Sequence, residues 1–237
     1  MSKKIAYVTD IHLDEQFPID QHVDARKNWE IILNDISSRN IHEIIFGGDI
    51  GEKSANKWFF DSLDKFTLGI SLGNHDDFSE VMRQRNFRIP QGQTELYYTQ
   101  ELPFYKFIFL DSSSGSISDP QFDWFKKELL TTKNIMLFIH HPILALDAEV
   151  DKRFALKGRD KIKTELLDLK NDVSIFCGHY HLEDKKKNGT VRQYITPASS
   201  YQVEKIPDEI KVNNESFGYR IIELDKEELR TELVLFT

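Results

Sequence analysis

The chain has 237 residues, 40% of them hydrophobic and 30% charged, which is typical of a globular protein and excludes a disordered one. Its 31 basic and 39 acidic residues give a net charge of −8, which disfavours nucleic acid as a partner because phosphate backbones repel an acidic surface. The length favours a single domain over residues 1–237, with two small domains as the alternative, and the only cysteine, Cys177, excludes an intrachain disulfide.

The first third of the chain alternates between predicted strands and helices. Short apolar runs at 4–9, 41–46 and 67–72 are typical of buried strands. The segments 22–40 and 55–66 between them place apolar residues at helical spacing. This alternation predicts an α/β sheet whose strands are joined by crossover helices.

The rest of the chain continues in the same manner and ends in a β-rich tail. Residues 95–99 and 104–111 predict an antiparallel pair of strands around a proline. A helix is expected over 119–132, with Asp119 as its N-cap and Pro120 at its first position. The remaining predicted elements are strands at 134–140 and 173–177, a helix at 160–170, a charged hairpin turn at 183–190 and alternating strands from 190 onward.

The N-terminal apolar run reaches polar Thr9 and Asp10 too soon to form a signal peptide. No later apolar run approaches the ~18 residues of a membrane span. The lone Cys177 suits a reducing compartment. We therefore expect a cytoplasmic protein that does not bind membranes.

Five predicted strands end directly on segments rich in glycine, histidine or acidic residues. These segments are "TDIH", "GGD", "GNHDD", "IHHP" and "CGHYH". In an open α/β sheet, ligands bind at the carboxyl ends of the strands. The five segments are therefore expected to meet at one edge of the sheet, although they are far apart in the sequence.

The side chains in these segments are typical metal ligands. Six of the eight histidines lie there, and only His22 and His42 lie elsewhere. Imidazole, carboxylate and amide oxygen together suit first-row divalent metals. On an extended backbone, the i, i+2 pairs Asp-x-His and His-x-His would each point to one face. The candidates outnumber the ligands of one ion, which predicts two metals sharing a carboxylate, about 3.5–4 Å apart. The candidates are Asp10, His12, Asp49, Asn74, His75, Asp76, His140, His141, His179 and His181.

Each segment taken alone has an ordinary structural explanation. An isolated Asp-x-His is a weak signal, "GGD" is usually a turn, and the second histidine of "HHP" could merely pack on the proline. Only the set of five favours a common site. Asp14 and Glu15 are expected to form a solvated loop and not to act as ligands. Cys177, within an apolar strand, is expected to be buried and inert.

The complete set resembles the motifs of the calcineurin-like metallophosphoesterases, in order and without a missing ligand position. The resemblance implies two packed mixed β-sheets flanked by helices, a four-layer α/β fold with a dinuclear site at the strand carboxyl ends. It also implies the ligands of each metal, with Asp49 shared between the two. One metal would be held by Asp10, His12, Asp49 and His181, and the other by Asp49, Asn74, His140 and His179.

The remaining roles follow from the same resemblance and from phosphoester chemistry. A hydroxide held between two cations would attack phosphorus, while the cations offset the transition-state charge. His75, which follows a ligand but is not one, would protonate the leaving group or stabilise its charge. Asp76 would support His75. His141 would contact the ligands or, with Asn74 and His75, face the substrate.

The substrate is expected to be a small phosphodiester. The "HHP" segment and the tail "TPASSY…FGYRIIEL" resemble the bacterial cyclic-nucleotide phosphodiesterase branch of the superfamily. Other members act on phosphomonoesters, phosphoproteins, nucleotide-sugar lipids or nucleic acids, and a few are non-catalytic scaffolds, so these alternatives stay open. Manganese or iron is favoured as the metal, zinc is compatible, and the oligomeric state is left open.

Overall fold

The computed structural model describes residues 3–85, 87, 89–226 and 228–237, which form two β-sheets with helices on their outer faces. The strands are Lys3–Val8 (β1), Glu43–Phe46 (β2), Thr67–Ile70 (β3), Tyr98–Glu101 (β4), Tyr105–Phe109 (β5), Asn134–Phe138 (β6), Val173–Cys177 (β7), Asp184–Asn188 (β8), Val191–Ile195 (β9), Gln202–Val203 (β10), Val212–Asn213 (β11), Phe217–Leu224 (β12) and Leu229–Phe236 (β13). The α-helices are Gln16–Asp20 (α1), Ala25–Ser38 (α2), Asn56–Ser62 (α3), Phe78–Gln84 (α4), Asp119–Glu128 (α5), Glu149–Phe154 (α6) and Arg159–Leu167 (α7), and Lys53–Ala55 forms a 3₁₀ turn.

Both large sheets are mixed, as expected. The first has the order β13-β12-β1-β2-β3, in which β1, β2 and β3 are parallel and the two tail strands are antiparallel. The second has the order β4-β5-β6-β7-β9-β8, with four parallel central strands and an antiparallel strand at each edge. The short strands β10 and β11 form a separate pair.

The side chains of alternate strand positions fill three apolar layers. In β1, Ile5 and Tyr7 contribute to the layer between the two sheets, whereas Ala6 and Val8 belong to the layer beneath the helices on the first sheet. A third layer packs α5 and α7 on the second sheet. This alternation follows from the twofold side-chain period of a strand. It produces the predicted four-layer arrangement of helices, sheet, sheet and helices.

The differences from the sequence expectations are local. The predicted hairpin is present, with its turn at residues 189–190, but residues 184–188 belong to its first strand, the edge strand β8. The run of exposed lysines in β8 is typical of an edge protected against pairing. Ser118, and not Asp119, caps α5, because its hydroxyl accepts from the Gln121 backbone N–H. The helices α1 and α6 were not predicted, since five or six residues are too few for a periodic pattern.

None of the helices described is both long and apolar enough to cross a membrane.

Candidate metal centre

The ends of five parallel strands bring the predicted segments together at one edge of the two sheets. Strand β1 leads to Asp10, β2 to Asp49 and β3 to Asn74 in the first sheet. Strands β6 and β7 lead to His140 and His179 in the second. Groups of these side chains place their ligand atoms within 4.8 Å of one another. The sequence expectation that remote segments meet at one edge is therefore correct.

Two histidines and two carboxylates form the first half of the cluster. His12 Nε2 lies 3.0 Å from His181 Nε2 and 3.6 Å from Asp49 Oδ2. His181 Nε2 is 3.4 Å from Asp10 Oδ1. Asp10 and Asp49 are almost fully buried, so their charges are poorly solvated and need a cationic partner.

The second half of the cluster shares the same carboxylates. His140 Nε2 lies 3.2 Å from Asp49 Oδ2 and 3.8 Å from Asp10 Oδ1. Asp49 Oδ2 therefore lies between His12 and His140, which were expected to serve different metals. This position is the one that a bridging carboxylate requires.

Five of the predicted ligands adopt left-handed backbone conformations. Their φ angles are 56° at Asp10, 51° at His12, 61° at Asp49, 69° at His179 and 51° at His181. The expectation that each i, i+2 pair lies on extended backbone was therefore wrong. Non-glycine residues rarely adopt such angles, and the strain is characteristic of functional sites. Hydrogen bonds between segments hold it: the backbone N–H groups of residues 11 and 12 both donate to the Asp49 carbonyl at 3.1 Å.

Two glycines allow the strand ends to approach the carboxylates closely. A Cβ atom at Gly73 would lie 2.2 Å from Asp49 Oδ1, and one at Gly178 would lie 2.2 Å from Asp10 Oδ2. No larger residue fits at either position without displacing a carboxylate.

Every candidate histidine ligand uses one ring nitrogen to donate to an oxygen outside the cluster. A carbonyl or carboxylate oxygen can only accept, so that nitrogen carries the proton and the other nitrogen keeps a free lone pair. This is the usual arrangement of metal-binding histidines. The four bonds are His12 Nδ1 to Glu15 Oε2 (3.0 Å), His140 Nδ1 to Gly47 O (2.9 Å), His179 Nε2 to Phe154 O (3.0 Å) and His181 Nδ1 to Tyr201 O (3.0 Å).

The free nitrogens fit a bound cation. The Nε2 atoms of His12 and His181 face each other at 3.0 Å, where two lone pairs repel unless a cation or a proton lies between them. His140 Nε2 is buried and has no hydrogen-bond partner among the described residues. A buried polar atom without a partner is costly, and a metal ion would satisfy it.

The charges within the cluster also favour a bound cation. Burial lowers the pKa of His140, but the negative charges of Asp49 and Asp10 outweigh burial and raise it to about 10. Burial and the charge of His140 lower the pKa of His179 to about 4, which keeps this ring neutral, as a ligand must be. A cation bound between the carboxylates would supply the positive charge that a proton on His140 otherwise supplies.

The matched family accounts for this geometry. Residues 3–183 match the family model described as calcineurin-like phosphoesterase. The chain belongs to the calcineurin-like phosphoesterase family. The family match, together with relatives named as phosphodiesterases, shows that the chain is a metal-dependent phosphoester hydrolase, a metallophosphoesterase.

Several relatives of this phosphoesterase cover most or about half of the chain. It is 26% identical to a probable cyclic nucleotide phosphodiesterase from Fibrobacter succinogenes, over 97% of this chain and 93% of that protein. It is 27% identical to a probable glycerophosphodiester phosphodiesterase, GpdQ, from Arcobacter nitrofigilis, over 58% of this chain and 56% of the relative. Its fold is similar to that of a dimetal phosphatase from Danio rerio, with a TM-score of 0.62, 12% identity and coverage of 97% and 98% of the two chains.

The support of His75 differs from the expectation. We expected Asp76 to support it, but the Asp76 carboxylate instead accepts the backbone N–H groups of Asp49, Ile50 and Gly73, each at 2.8 Å. The partner of the His75 ring is Glu15, whose Oε1 accepts from Nδ1 at 2.9 Å. The hydrogen bonds of Asp76 therefore hold the loops that carry the ligands, whereas the His75 ring is held by Glu15.

Glu15 is the residue that sequence reasoning missed. It was expected to lie in a solvated loop, yet its side chain is only 14% exposed. Burial alone would raise the pKa of Glu15, but hydrogen bonds from His12 and His75 outweigh it and lower the pKa to about 2. Its position three residues after His12 was the available signal, because Glu15 immediately precedes the short helix α1 and its carboxylate reaches back to the His12 ring.

His141 was expected to contact either the ligands or the substrate. It is 3% exposed, and its ring centroid lies 4.0 Å from that of His179. Ser112 Oγ lies 2.9 Å from its Nδ1. These contacts favour the alternative in which His141 packs against a ligand, and its contact with substrate stays a prediction. By contrast, Asn74 is exposed and lines the open cleft beside the cluster.

Proposed function

We propose that the chain is a phosphodiesterase that hydrolyses cyclic nucleotides or other small phosphodiesters with two divalent metal ions. The observation that carries this proposal is the convergence of free imidazole lone pairs from both sheets on two buried carboxylates. The extended similarity to a relative named as a probable cyclic nucleotide phosphodiesterase supports a diester as substrate.

The proposed ligands divide between the two ions. One ion would be held by Asp10, His12, Asp49 and His181, and the other by Asp49, Asn74, His140 and His179. We propose manganese or iron as the metal of the two ions, since nitrogen and oxygen donors predominate and no thiolate is present in the cluster. When bound, the ions would supply an activated water as nucleophile and neutralise charge on the phosphoryl oxygens.

His75 is the proposed proton donor to the leaving group. Its side chain is 43% exposed, so a substrate in the cleft can reach it. The hydrogen bond to Glu15 raises the pKa of His75 to about 9, which keeps the ring protonated near neutral pH, as a general acid requires. With Nδ1 engaged by Glu15, Nε2 is the nitrogen that can donate to the departing oxygen. Asn74, beside it on the cleft surface, is the proposed contact to the phosphoryl group.

The setting of this activity is also proposed. Both sheets contribute ligands to one cluster, which supports treating residues 1–237 as one domain. Cys177 is fully buried and unpaired, which is compatible with a reducing compartment, and we propose the cytoplasm.

A substrate panel tests the proposed function. Metal-free protein is supplied separately with Mn²⁺, Fe²⁺ or Zn²⁺ and assayed on 3′,5′-cyclic AMP, bis-p-nitrophenyl phosphate and p-nitrophenyl phosphate. We expect turnover of both diesters with at least one metal, and slower turnover of the monoester. A monoester preference would instead favour a phosphatase, and no turnover with any metal would contradict an enzyme.

A further inference from the structure

A cleft with one apolar wall opens beside the metal centre. Its volume is ≈ 340 Å³. Its lining combines polar groups, among them Asp49, Asn74, His75 and histidine ligands, with a set of apolar and aromatic side chains. We call this second set the hydrophobic wall, and its members are Phe17, Val150, Phe154, Tyr201, Val203, Ile210 and Val212.

The hydrophobic wall contains large apolar side chains that are unusually exposed to solvent. Phe154 is 52% exposed, Phe17 is 48% exposed and Ile210 is 36% exposed. They come from α6, α1 and the connection between β10 and β11, which are remote in sequence. A contiguous exposed apolar patch at the edge of a polar site is typical of a ligand-binding surface.

The segments of the hydrophobic wall also hold the ligands. The carbonyl of Phe154 accepts from His179 Nε2, and that of Tyr201 accepts from His181 Nδ1, both at 3.0 Å. The Tyr201 ring lies 4.2 Å from the ring of His181 at a tilt of 35°, and the Phe17 ring meets Tyr201 edge-on at 5.2 Å. These contacts place the wall directly beside the proposed ligands, within reach of a group attached to a phosphate at the centre.

We propose that the hydrophobic wall binds a planar aromatic group carried by one ester arm of the substrate. This inference rests on the proposed phosphodiesterase function and specifies its substrate class: diesters with a ring, such as a nucleobase or a phenyl group, in preference to small alkyl diesters. The aromatic side chains Phe17, Phe154 and Tyr201 line the cleft and can pack on such a ring, whose apolar faces leave water when it binds.

Two synthetic diesters isolate this contact. Benzyl p-nitrophenyl phosphate and methyl p-nitrophenyl phosphate lose the same p-nitrophenolate, and they differ only in the arm that stays on phosphorus. We expect kcat/KM to be roughly tenfold higher for the benzyl ester in the unaltered protein. Phe154→Ala is expected to remove most of that preference, mainly through KM, because the ring of Phe154 is lost while its carbonyl remains.

The control is Phe104→Ala. Phe104 is 44% exposed and precedes β5, at the strand end opposite the metal centre, so the benzyl preference should be unchanged. Failure to hydrolyse either ester with any metal would overturn the proposed function. Turnover of both esters with equal kcat/KM, or an unaltered benzyl preference in Phe154→Ala, would overturn only the assignment of the wall.

A separate observation concerns the carboxylate of Glu15. Its Oε2 accepts from His12 Nδ1 at 3.0 Å and its Oε1 accepts from His75 Nδ1 at 2.9 Å. The two rings are nearly perpendicular, at 88°, with centroids 4.7 Å apart. One carboxylate thus holds a candidate metal ligand and the candidate acid in a fixed mutual orientation.

We infer that Glu15 is a positioning residue for proton donation by His75. This inference also rests on the proposed function. Glu15→Gln preserves the shape but offers only one acceptor oxygen, so the amide cannot accept from both rings. The ring of His75 or of His12 must then change its orientation. We expect the rate of hydrolysis to fall most for substrates whose leaving group needs a proton.

Leaving groups of different basicity separate this role from a structural one. At saturating Mn²⁺, Glu15→Gln should slow hydrolysis of 3′,5′-cyclic AMP, which releases a basic alkoxide, by about 100-fold. It should slow bis-p-nitrophenyl phosphate, whose leaving group needs no proton, by less than about fivefold. His75→Ala should show the same difference between the substrates, since both changes affect one step.

The matched control is Glu52→Gln, the same charge change at an exposed residue on this side of the cleft. It should alter neither rate. Equal losses on both substrates, or loss of metal from Glu15→Gln at saturating Mn²⁺, would overturn the positioning role. Absence of turnover in the unaltered protein would instead overturn the proposed function.

Discussion

The two sheets contribute different chemistry to one site. The first sheet supplies both buried carboxylates, Asp10 and Asp49, together with the amide of Asn74. The second sheet supplies only imidazoles to the cluster, from the loops after β6 and β7. Negative charge therefore comes from one sheet and most of the neutral nitrogen donors come from the other. Neither sheet alone can hold the proposed pair of metals, so the site depends on how the sheets pack.

Aromatic packing and cross-sheet hydrogen bonds set that relation. Between the sheets, Tyr7 of β1 packs on Phe138 of β6 at 6.0 Å and on Phe176 of β7 at 5.9 Å. At the site, the His179 N–H donates to both oxygens of Asp10 at 3.1 Å, and His140 donates to the Gly47 carbonyl. Apolar rings therefore join the sheets in their interior, whereas hydrogen bonds between histidine, carboxylate and carbonyl groups join them at the site.

The largest expected effect comes from removing the carboxylate that faces both halves of the cluster. Asp49→Ala should reduce kcat by roughly a thousandfold or more and lower the metal content toward zero, because His12 and His140 lose the charge they share. His140→Ala, on the second sheet, should lose only one metal. Initial rates and elemental analysis measure both. Two metals retained in Asp49→Ala would contradict the unequal roles of the sheets.

A smaller effect is expected from His75, the first-sheet histidine that is proposed as an acid and not as a metal ligand. His75→Ala should lower kcat on cyclic AMP by about 100- to 1,000-fold while the metal content stays at the unaltered level. His22→Ala, at an exposed histidine outside the metal cluster, serves as the control for removing an imidazole. If His75→Ala loses metal, the ring is a ligand and not a proton donor.

The third prediction concerns the stability of the first-sheet loops. Asp76→Ala leaves the backbone N–H groups of Asp49, Ile50 and Gly73 without their acceptor, so the free energy of unfolding should fall by about 2–4 kcal/mol. The neighbouring Asp77→Ala removes an N-cap bond to the Glu80 N–H and should cost about 1 kcal/mol. Urea unfolding measures both. Equal losses would contradict the role of Asp76.

The smallest effect is expected on the second-sheet side, where a side-chain network replaces those backbone bonds. Tyr180, between His179 and His181, donates to Asp151 Oδ1 at 2.8 Å, and Arg159 binds the same carboxylate. Tyr180→Phe should lower the free energy of unfolding by only about 1 kcal/mol, since Asp151 keeps Arg159. A fall in the free energy of unfolding as large as that of Asp76→Ala would contradict this difference. It would show that the loop of Tyr180 depends on one carboxylate, Asp151, as strongly as the first-sheet loops depend on Asp76.

The succession of strands and helices along the chain and the ligand segments were predictable because both depend on local patterns. Apolar runs of strand length end at glycine, histidine and aspartate, and parallel strands present those ends at one edge. The roles of Asp76 and Glu15 were not predictable in the same way. Both are acidic residues near histidines in sequence. Only the folded chain brings Glu15 to the His75 ring and turns the Asp76 carboxylate toward backbone N–H groups.

The sequence by itself determined the alternation of strands and helices, the donor types and the family motifs, because each depends on residue type and spacing within short segments. The tertiary structure alone decided which nitrogen of each histidine is free and what faces the metal centre. The acceptors for His140, His179 and His181 are backbone carbonyls of Gly47, Phe154 and Tyr201. Every residue has such a carbonyl, so only the packing of remote segments selects the one that accepts.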